Sequence, residues 1–485
     1  MGFIVFDYLV SRVTTLKPRM ERVPNPFKLL SMLTKKDWIF FGVAFMGWAW
    51  DAFDFFTVSL TVPELAKQFD KSNADITWGI SLVLMLRFVG ATIFGLASDA
   101  YGRKWPFVIN CVMFIALELG TGFVQTYNQF LGVRSLFGIA MGGIYGNVAA
   151  TALEDLPHEC RGIISGIMQQ GYSFGYLLAT VFSRALVNTT SHGWRPLYWF
   201  GACPPIILIA IRLCLPETNA YQQRKALRET GGVAFSFVKE IKYSIVNHWL
   251  LFIYLILFMS GMNFASHASQ DLYPTMLSNQ YNFSPNRSTV TLVVANLGAI
   301  IGGAISGYLS QIFGRRIVMM FMCVAGGAVL YPYTFVTNNG ILAAAFFEYF
   351  CVQGAWGVIP VHLNELAPPA LRTFTVGTSY QLGNLASSAS ATIEAKLGEQ
   401  FPLPPKGDVS RYQYGLVICI FMACIFTYNF ILTFLGPEAY GRNFGIEDDD
   451  ETAKAVGKSV MDIEHNSDIG EVDEKGQQVY RTEVL

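Results

Sequence analysis

The sequence predicts an all-α membrane protein whose twelve transmembrane helices form two pseudo-symmetric six-helix bundles. Composition, the spacing of apolar windows and an internal repeat predict it. Of 485 residues, 52% are hydrophobic and 14% charged, and the mean hydropathy is +0.38. Soluble domains carry roughly 25% charged residues, so a soluble enzyme of this size is excluded for want of charge to cover its surface. A net charge of -1 and a pI near 6.6 exclude an electrostatic nucleic-acid binder, which needs a basic face.

A bilayer core about 30 Å thick is crossed by about 20 mainly apolar helical residues. In the first half such windows run at 38–62, 77–98, 105–124, 129–151, 163–186 and 197–215. In the second half they run at 249–272, 289–311, 317–336, 340–363, 374–396 and 412–435. The expected order is therefore a cytoplasmic N-terminal segment (1–37), a first bundle (38–215), a connector (216–247), a second bundle (248–435) and an acidic tail (436–485). An even count puts both termini on one side of the membrane. The basic N-terminal stretch, the connector with Arg224, Lys225, Arg228, Lys239 and Lys242, and the pairs Arg103/Lys104 and Arg315/Arg316 all fall on that side, which positive-inside marks as cytoplasmic. Lys67, Lys71, Lys396, Lys406 and Arg411 fall on the other, as do the short glycosylation motifs at Asn188, Asn282 and Asn286. The apolar start from Phe3 to Val10 is interrupted by Asp7 and followed by Arg12 and Lys17, unlike a cleavable signal peptide. The eight cysteines show no metal-ligand spacing and read as packing residues.

The repeat ties the halves together. After the second window come Gly95, Asp99, Gly102, Arg103 and Lys104; after the eighth come Gly307, Gln311, Gly314, Arg315 and Arg316 at the same spacing. Farther on, Glu154, Pro157 and Arg161 are echoed by Glu365, Pro368 and Arg372. This pattern, present twice, resembles the signature of the major facilitator superfamily, and the resemblance covers all twelve windows. Glycines at the turn let two helices approach, while Asp99 and the basic pair can form ion pairs that open and close as the bundles rock; the bland reading is anchoring of Arg103 and Lys104 at anionic lipid. With Gln311 in place of aspartate, the second gate is expected to be the weaker.

Charged and strongly polar residues inside a span are costly and mark functional positions. The seventh window is the densest. Asn263, His267, Gln270 and Asp271 stand at i, i+4, i+7 and i+8, on one helical face. A histidine one turn from an aspartate can hold and release a proton, although an inert hydrogen-bonded histidine fits the same spacing. In the second window Arg87 is a lone cation among apolar neighbours, either a bidentate hook for a carboxylate or a structural partner of Asp51, Asp54 or Glu118. Asp51 and Asp54, three apart in the first window, are alternate proton acceptors. Gln381 and Asn384, followed by Ser387, Ser388 and Ser390, form a polar stripe in the eleventh window that lines a substrate path or glues helices. Phe174 in the fifth shapes a pocket or simply packs. Arg134 and Glu348 occupy corresponding places in the two halves and either pair or balance separately.

From Asn263 to Thr275 the run Asn-x-x-Ser-His-x-Ser-Gln-Asp-x-x-x-Thr resembles the signature of fungal carboxylate/proton symporters, the lactate-permease branch of the sialate/proton symporter group. The run from Tyr101 to Trp105 fits too, except that Tyr101 stands where that branch has an aspartate. The resemblance implies uptake of short-chain carboxylates such as lactate or pyruvate with a proton, at the plasma membrane. It carries roles in substrate recognition and translocation onto Asn263, His267, Gln270 and Asp271, and favours Arg87, Gln381 and Asn384 as transport residues. The proton is then the coupling ion, with no cofactor, and the partners are a small carboxylate and the lipid bilayer. A dicarboxylate carrier for succinate or malate and a transporter-like carboxylate receptor are the alternatives; an enzyme is disfavoured because no nucleophile elbow, HExxH or phosphate loop is present. The tail, with the acidic run from Glu447 to Glu451, is too polar for lipid and is expected to be disordered. It is either a plain solvated tail or, with Lys454, Lys458 or Lys475 as modification sites, a handle for ubiquitin-directed endocytosis.

Overall fold

The structure is a computed structural model that describes residues 16–17, 20, 23, 25–71, 73–230, 237–406 and 409–442. The acidic run and the three tail lysines lie outside the described residues. Among the described residues the helices group into twelve spans. Ten are by themselves long and apolar enough to cross a membrane, among the described residues. The fifth (His158–Gln169 and Gly171–Leu186) and the eleventh (Arg372–Ser387 and Ser390–Gly398) fall short because each carries a polar stripe, with Gln169 and Gln170 in the one and Gln381, Asn384 and several serines in the other. Those two spans border the centre of the molecule.

Local chemistry sets the helix ends. Thr34 and Asp37 close a capping box at the start of the first span, Lys35–Phe69, which stops at Asp70 in the left-handed conformation (φ 51°). A second capping box, Thr126 with Gln129, opens the fourth span, Tyr127–Gly142 continued by Ile144–Leu153. Ser284 caps the eighth, Pro285–Phe313, with proline in the first turn where its missing N–H is harmless. The turn after the second span (Asn73–Tyr101) holds Gly102 at φ 97°, and the turn after the eighth holds Gly314 at φ 104°, values that a side chain would strain. The repeat seen in sequence is thus a repeat of turn geometry.

Packing obeys the same two-fold rule. The second span packs on the fourth as the eighth does on the tenth (Gly340–Leu366), and the first on the fifth as the seventh (Phe237–Gln270) on the eleventh. Between the bundles, the second span crosses the eleventh and the eighth crosses the fifth. The third (Lys104–Phe123), sixth (Arg195–Gly201 and Pro204–Cys214), ninth (Arg315–Phe335) and twelfth (Tyr414–Leu435) complete the set. The connector contains a helix, Asn219–Thr230, and the seventh helix begins inside it. On the face away from the chain ends, a short antiparallel hairpin pairs Pro402–Lys406 with Val409–Tyr412.

The face that carries the described chain ends is shut. Asp99 accepts the backbone N–H groups of Thr373 (3.1 Å) and Phe374 (2.9 Å), so a carboxylate of one bundle sits on the N-terminus of a helix of the other. Arg103 bridges Asp99 (3.2 Å) and Glu154 (2.7 Å), and Arg372 approaches Glu154 from the second bundle (3.6 Å). Burial pushes the Glu154 carboxyl up, but Arg103 and Arg372 together hold it below the ordinary carboxylate range. Its contribution to closure is therefore full above the unfolded value and fades only as pH falls through the lower folded one. Arg315 pairs with Glu365 (2.9 Å) at the symmetry-related place. There Gln311 donates its amide to the carbonyl oxygen (2.9 Å) and Nδ1 (2.8 Å) of His158, a neutral contact where the first half has charged ones. Lys104 and Arg316 bind helix-end carbonyls: Lys104 those of Leu213 and Leu215, Arg316 those of Thr433 and Phe434.

Glycines permit the contact. Gly95 lies against Phe374, and a Cβ at Gly162 would sit 2.5 Å from the carbonyl oxygen of Gly307. The Gly162→Ala protein is expected to be unable to close this face. Thiol labelling of a cysteine introduced at Phe374 should then rise from this side; labelling equal to that of the unsubstituted parent would show that the contact does not govern closure.

Candidate functional site

Between the bundles lies a cavity of about 510 Å³ that reaches from mid-membrane depth toward the open face. The first bundle contributes Phe55, Phe56 and Ser59 of the first span, Arg87 of the second, and Gln169, Tyr172 and Tyr176 of the fifth. The second contributes Asn263, His267, Gln270 and Asp271, with Gln353, Trp356, Tyr380 and Asn384. Toward the shut face, Tyr380 stacks on Tyr145 (ring centroids 4.1 Å apart) and meets Trp48 and Trp356 edge-on, forming an aromatic floor.

The seventh helix ends at Gln270, one residue before Asp271, so its last turn delivers the polar face seen in sequence to the cavity wall. His267 Nδ1 lies 3.1 Å from Asp271 Oδ2, and Nε2 lies 3.2 Å from Asn384 Oδ1. The Asp271 carboxylate and the Asn384 amide oxygen thus flank the two ring nitrogens, a frame into which a doubly protonated ring can donate at both ends. Asn384 in turn donates to Gln381 Oε1 (3.4 Å). The His267 and Asp271 side chains are 18% and 35% exposed to the cavity.

Across the cavity, Arg87 donates to Asp51 Oδ2 at 3.1 Å and lies 5.3 Å above the Phe55 ring. Its Nε is buried with no hydrogen-bond partner among the described residues, and Nη2 also lies 3.2 Å from Met141 Sδ. The guanidinium as a whole stands in the cavity wall. Of the open alternatives, the pairing is with Asp51; Glu118 instead holds Arg134 (3.3 Å). Asp54 lies beside Glu118, fully buried, with no hydrogen-bond partner at either carboxylate oxygen among the described residues.

Placement departs from expectation at several residues. Gln381 is buried behind Asn384 and does not line the cavity, because Asn384 occupies the exposed step of the stripe. Phe174 points toward Phe45 (5.7 Å), two residues from each of the lining pair Tyr172 and Tyr176 and so on the other side of the helix. Asp51 and Asp54 lie behind the wall, Asp51 touching it through Arg87. Arg134 and Glu348 do not meet: Arg134 is paired with Glu118, while both carboxylate oxygens of Glu348 lack partners among the described residues. The aromatic floor and Gln353 escaped the sequence reading; aromatic residues in apolar helices look like packing, and only their convergence from four spans distinguishes them.

Residues 37–234 match the family described as Sugar (and other) transporter, and residues 272–461 match Major Facilitator Superfamily. The chain is 40% identical over 459 residues to the carboxylic acid transporter protein homolog of Saccharomyces cerevisiae, covering 90% of this chain and 74% of that protein. It is 26% identical over 360 residues to the cis,cis-muconate transport protein of Acinetobacter baylyi, covering 73% and 86% respectively. Among solved structures, the proton:xylose symporter XylE bound to 6-bromo-6-deoxy-D-glucose superposes with a TM-score of 0.68 at 18% identity, over 84% of this chain and 98% of that one, a likeness of fold.

Proposed function

We infer the function from one premise: the chain belongs to the major facilitator superfamily. It is a carboxylate transporter, and specifically a secondary active importer of short-chain monocarboxylates such as lactate, pyruvate, acetate or propionate with a proton, working by alternating access at the plasma membrane with both termini cytoplasmic. The observation that carries this reading is that a guanidinium from one bundle and a histidine–aspartate couple from the other face a single cavity. The likeness to the yeast carboxylic acid transporter protein homolog supports the carboxylate part.

The residues divide the work. An incoming carboxylate competes with Asp51 for Arg87, whose fixed fork offers paired donors. On the other side, the imidazolium of His267 holds the coupled proton between Asp271 and Asn384. Substrate anion and coupled proton together add no net charge to the cavity, so loading does not raise the cost of rocking the bundles through lipid. The Asp99 and Gln311 contacts then separate and the opposite face closes. With one anion and one proton the step is electroneutral, driven by the pH gradient at about 1.4 kcal/mol per unit.

In proteoliposomes, labelled lactate should accumulate above equilibrium when the outside is more acidic. Clamping the membrane potential at either sign with valinomycin and potassium should leave the rate unchanged. Binding without accumulation would replace the carrier by a receptor. A second reading, dicarboxylate transport, is favoured by the cavity's size and by its polar groups at both walls; stronger competition by succinate than by pyruvate or acetate would select it.

A further inference from the structure

One hydrogen-bonded junction between the bundles has no part in the mechanism above. Ser165, in the His158–Gln169 part of the fifth span, is buried. Its hydroxyl donates to the carbonyl oxygen of Gly357 (2.8 Å) and accepts the backbone N–H of Val361 (3.0 Å), both in the tenth span of the other bundle. A carbonyl only accepts and a peptide N–H only donates, so the direction of both bonds is fixed. In a regular α-helix that N–H and that carbonyl belong to each other, since Val361 stands four residues after Gly357. A side chain of the first bundle therefore engages both ends of one backbone step in the second.

The turn so engaged is weak and adjoins the cavity. Pro360 lies inside the tenth helix and has no N–H to offer the carbonyl of Trp356. Trp356 itself lines the cavity and meets Tyr380 edge-on, with ring centroids 5.6 Å apart. Glycines bring the helices this close. A Cβ at Gly166 would stand 2.4 Å from the carbonyl oxygen of Gly303 in the eighth span, and a Cβ at Gly357 would stand 2.3 Å from that same oxygen. The fifth, eighth and tenth spans thus meet at backbone distance around the hydroxyl, on the side of the cavity floor that faces the shut end.

We propose that Ser165 is a positioning residue for alternating access: its hydroxyl clasps the tenth span just below Trp356 while the inner face is shut, and lets go as that face opens. The inference rests on the alternating-access reading. Opening the shut face draws the fifth span away from the tenth. As the hydroxyl leaves, Val361 N–H and Gly357 C=O bond each other, so neither backbone group is left unsatisfied. Ser165 turns to the backbone carbonyl of Arg161, four residues back on its own helix. Each polar group has a partner in both states, so the clasp biases the equilibrium without locking it. Closing of that backbone step also moves the turn that carries Trp356, which ties the gate to the cavity floor.

The test reads the two faces separately and needs no transport. Wild type, Ser165→Ala and Ser165→Thr are prepared with a reporter cysteine either at Phe374, on the shut face, or at Ser59, in the open cavity, and thiol-labelling rates are taken above those of the parents without the reporter. Ser165→Ala should label about tenfold faster at Phe374→Cys, the equilibrium effect of about one net hydrogen bond, and no faster at Ser59→Cys. Ser165→Thr, which keeps the hydroxyl, should label at Phe374→Cys more slowly than Ser165→Ala. A wild-type Phe374→Cys rate in Ser165→Ala would overturn the proposal. Faster labelling at both reporters would mean general loosening and would overturn it too, as would equal rates in Ser165→Thr and Ser165→Ala, which leave the hydroxyl without a role. A wild type whose two rates ignore lactate at acidic pH would remove the symport reading; the Ser165 comparison, made without substrate, decides the clasp separately.

Discussion

Arg87→Lys is expected to lower lactate uptake by at least about tenfold although the charge is kept, because an ammonium is a point donor without the paired edge of a guanidinium. The arrangement around Arg87 makes the case sharper. One guanidinium nitrogen is engaged by Asp51 at 3.1 Å, the face lies over Phe55, and Nε is without a partner. A lysine can satisfy Asp51 or the substrate, not both. Arg87→Met should do something different. It strands the Asp51 carboxylate, which is 0% exposed, and breaking a buried pair in this way destabilises by about 3–5 kcal/mol. The Arg87→Met/Asp51→Asn double variant should recover thermal stability in detergent yet remain inactive. Melting temperature and proteoliposome uptake, measured together, separate the two roles of the residue. Wild-type affinity and rate in Arg87→Lys would take Arg87 out of the substrate site.

His267→Ala is expected to cut pH-driven accumulation by about a hundredfold, the low end of what a positioned proton carrier contributes, while lactate exchange at equal pH falls much less. The substitution removes the donor to Asp271 at 3.1 Å and to Asn384 at 3.2 Å. Asp271→Asn should share the phenotype, because the imidazolium then loses its countercharge. The deciding measurement is initial uptake rate against external pH. A profile as steep as that of the wild type would transfer coupling to Asp51 and Asp54, which lie behind Arg87 and are shielded from the cavity.

Much of the site was legible because membrane helices leave few reasons for a polar side chain. Asn263, His267, Gln270 and Asp271 share a helical face by arithmetic, and that face does line the cavity. Arg87 was conspicuous as a cation in an apolar window. Helical phase was too coarse at the fifth and eleventh spans: Phe174 stands two residues from both Tyr172 and Tyr176 in Gly171–Leu186, and spacing did not separate Gln381 from Asn384, three residues on in Arg372–Ser387. Tyr172, Tyr176 and Tyr380 went unremarked. The polar residues of these two spans are also what keeps them out of the ten that are apolar enough by themselves.

By itself the amino-acid order determined the lipid setting, the doubled plan and the turns at Gly102 and Gly314, because hydropathy, repetition and backbone permissiveness act within a few residues of chain. Which partner each buried charge takes was decided only by the folded molecule. Arg87 chose Asp51, Arg134 chose Glu118, and Asp99 reached across to the start of another bundle's helix, since such pairings depend on angstrom-scale approach between segments separated by up to hundreds of residues.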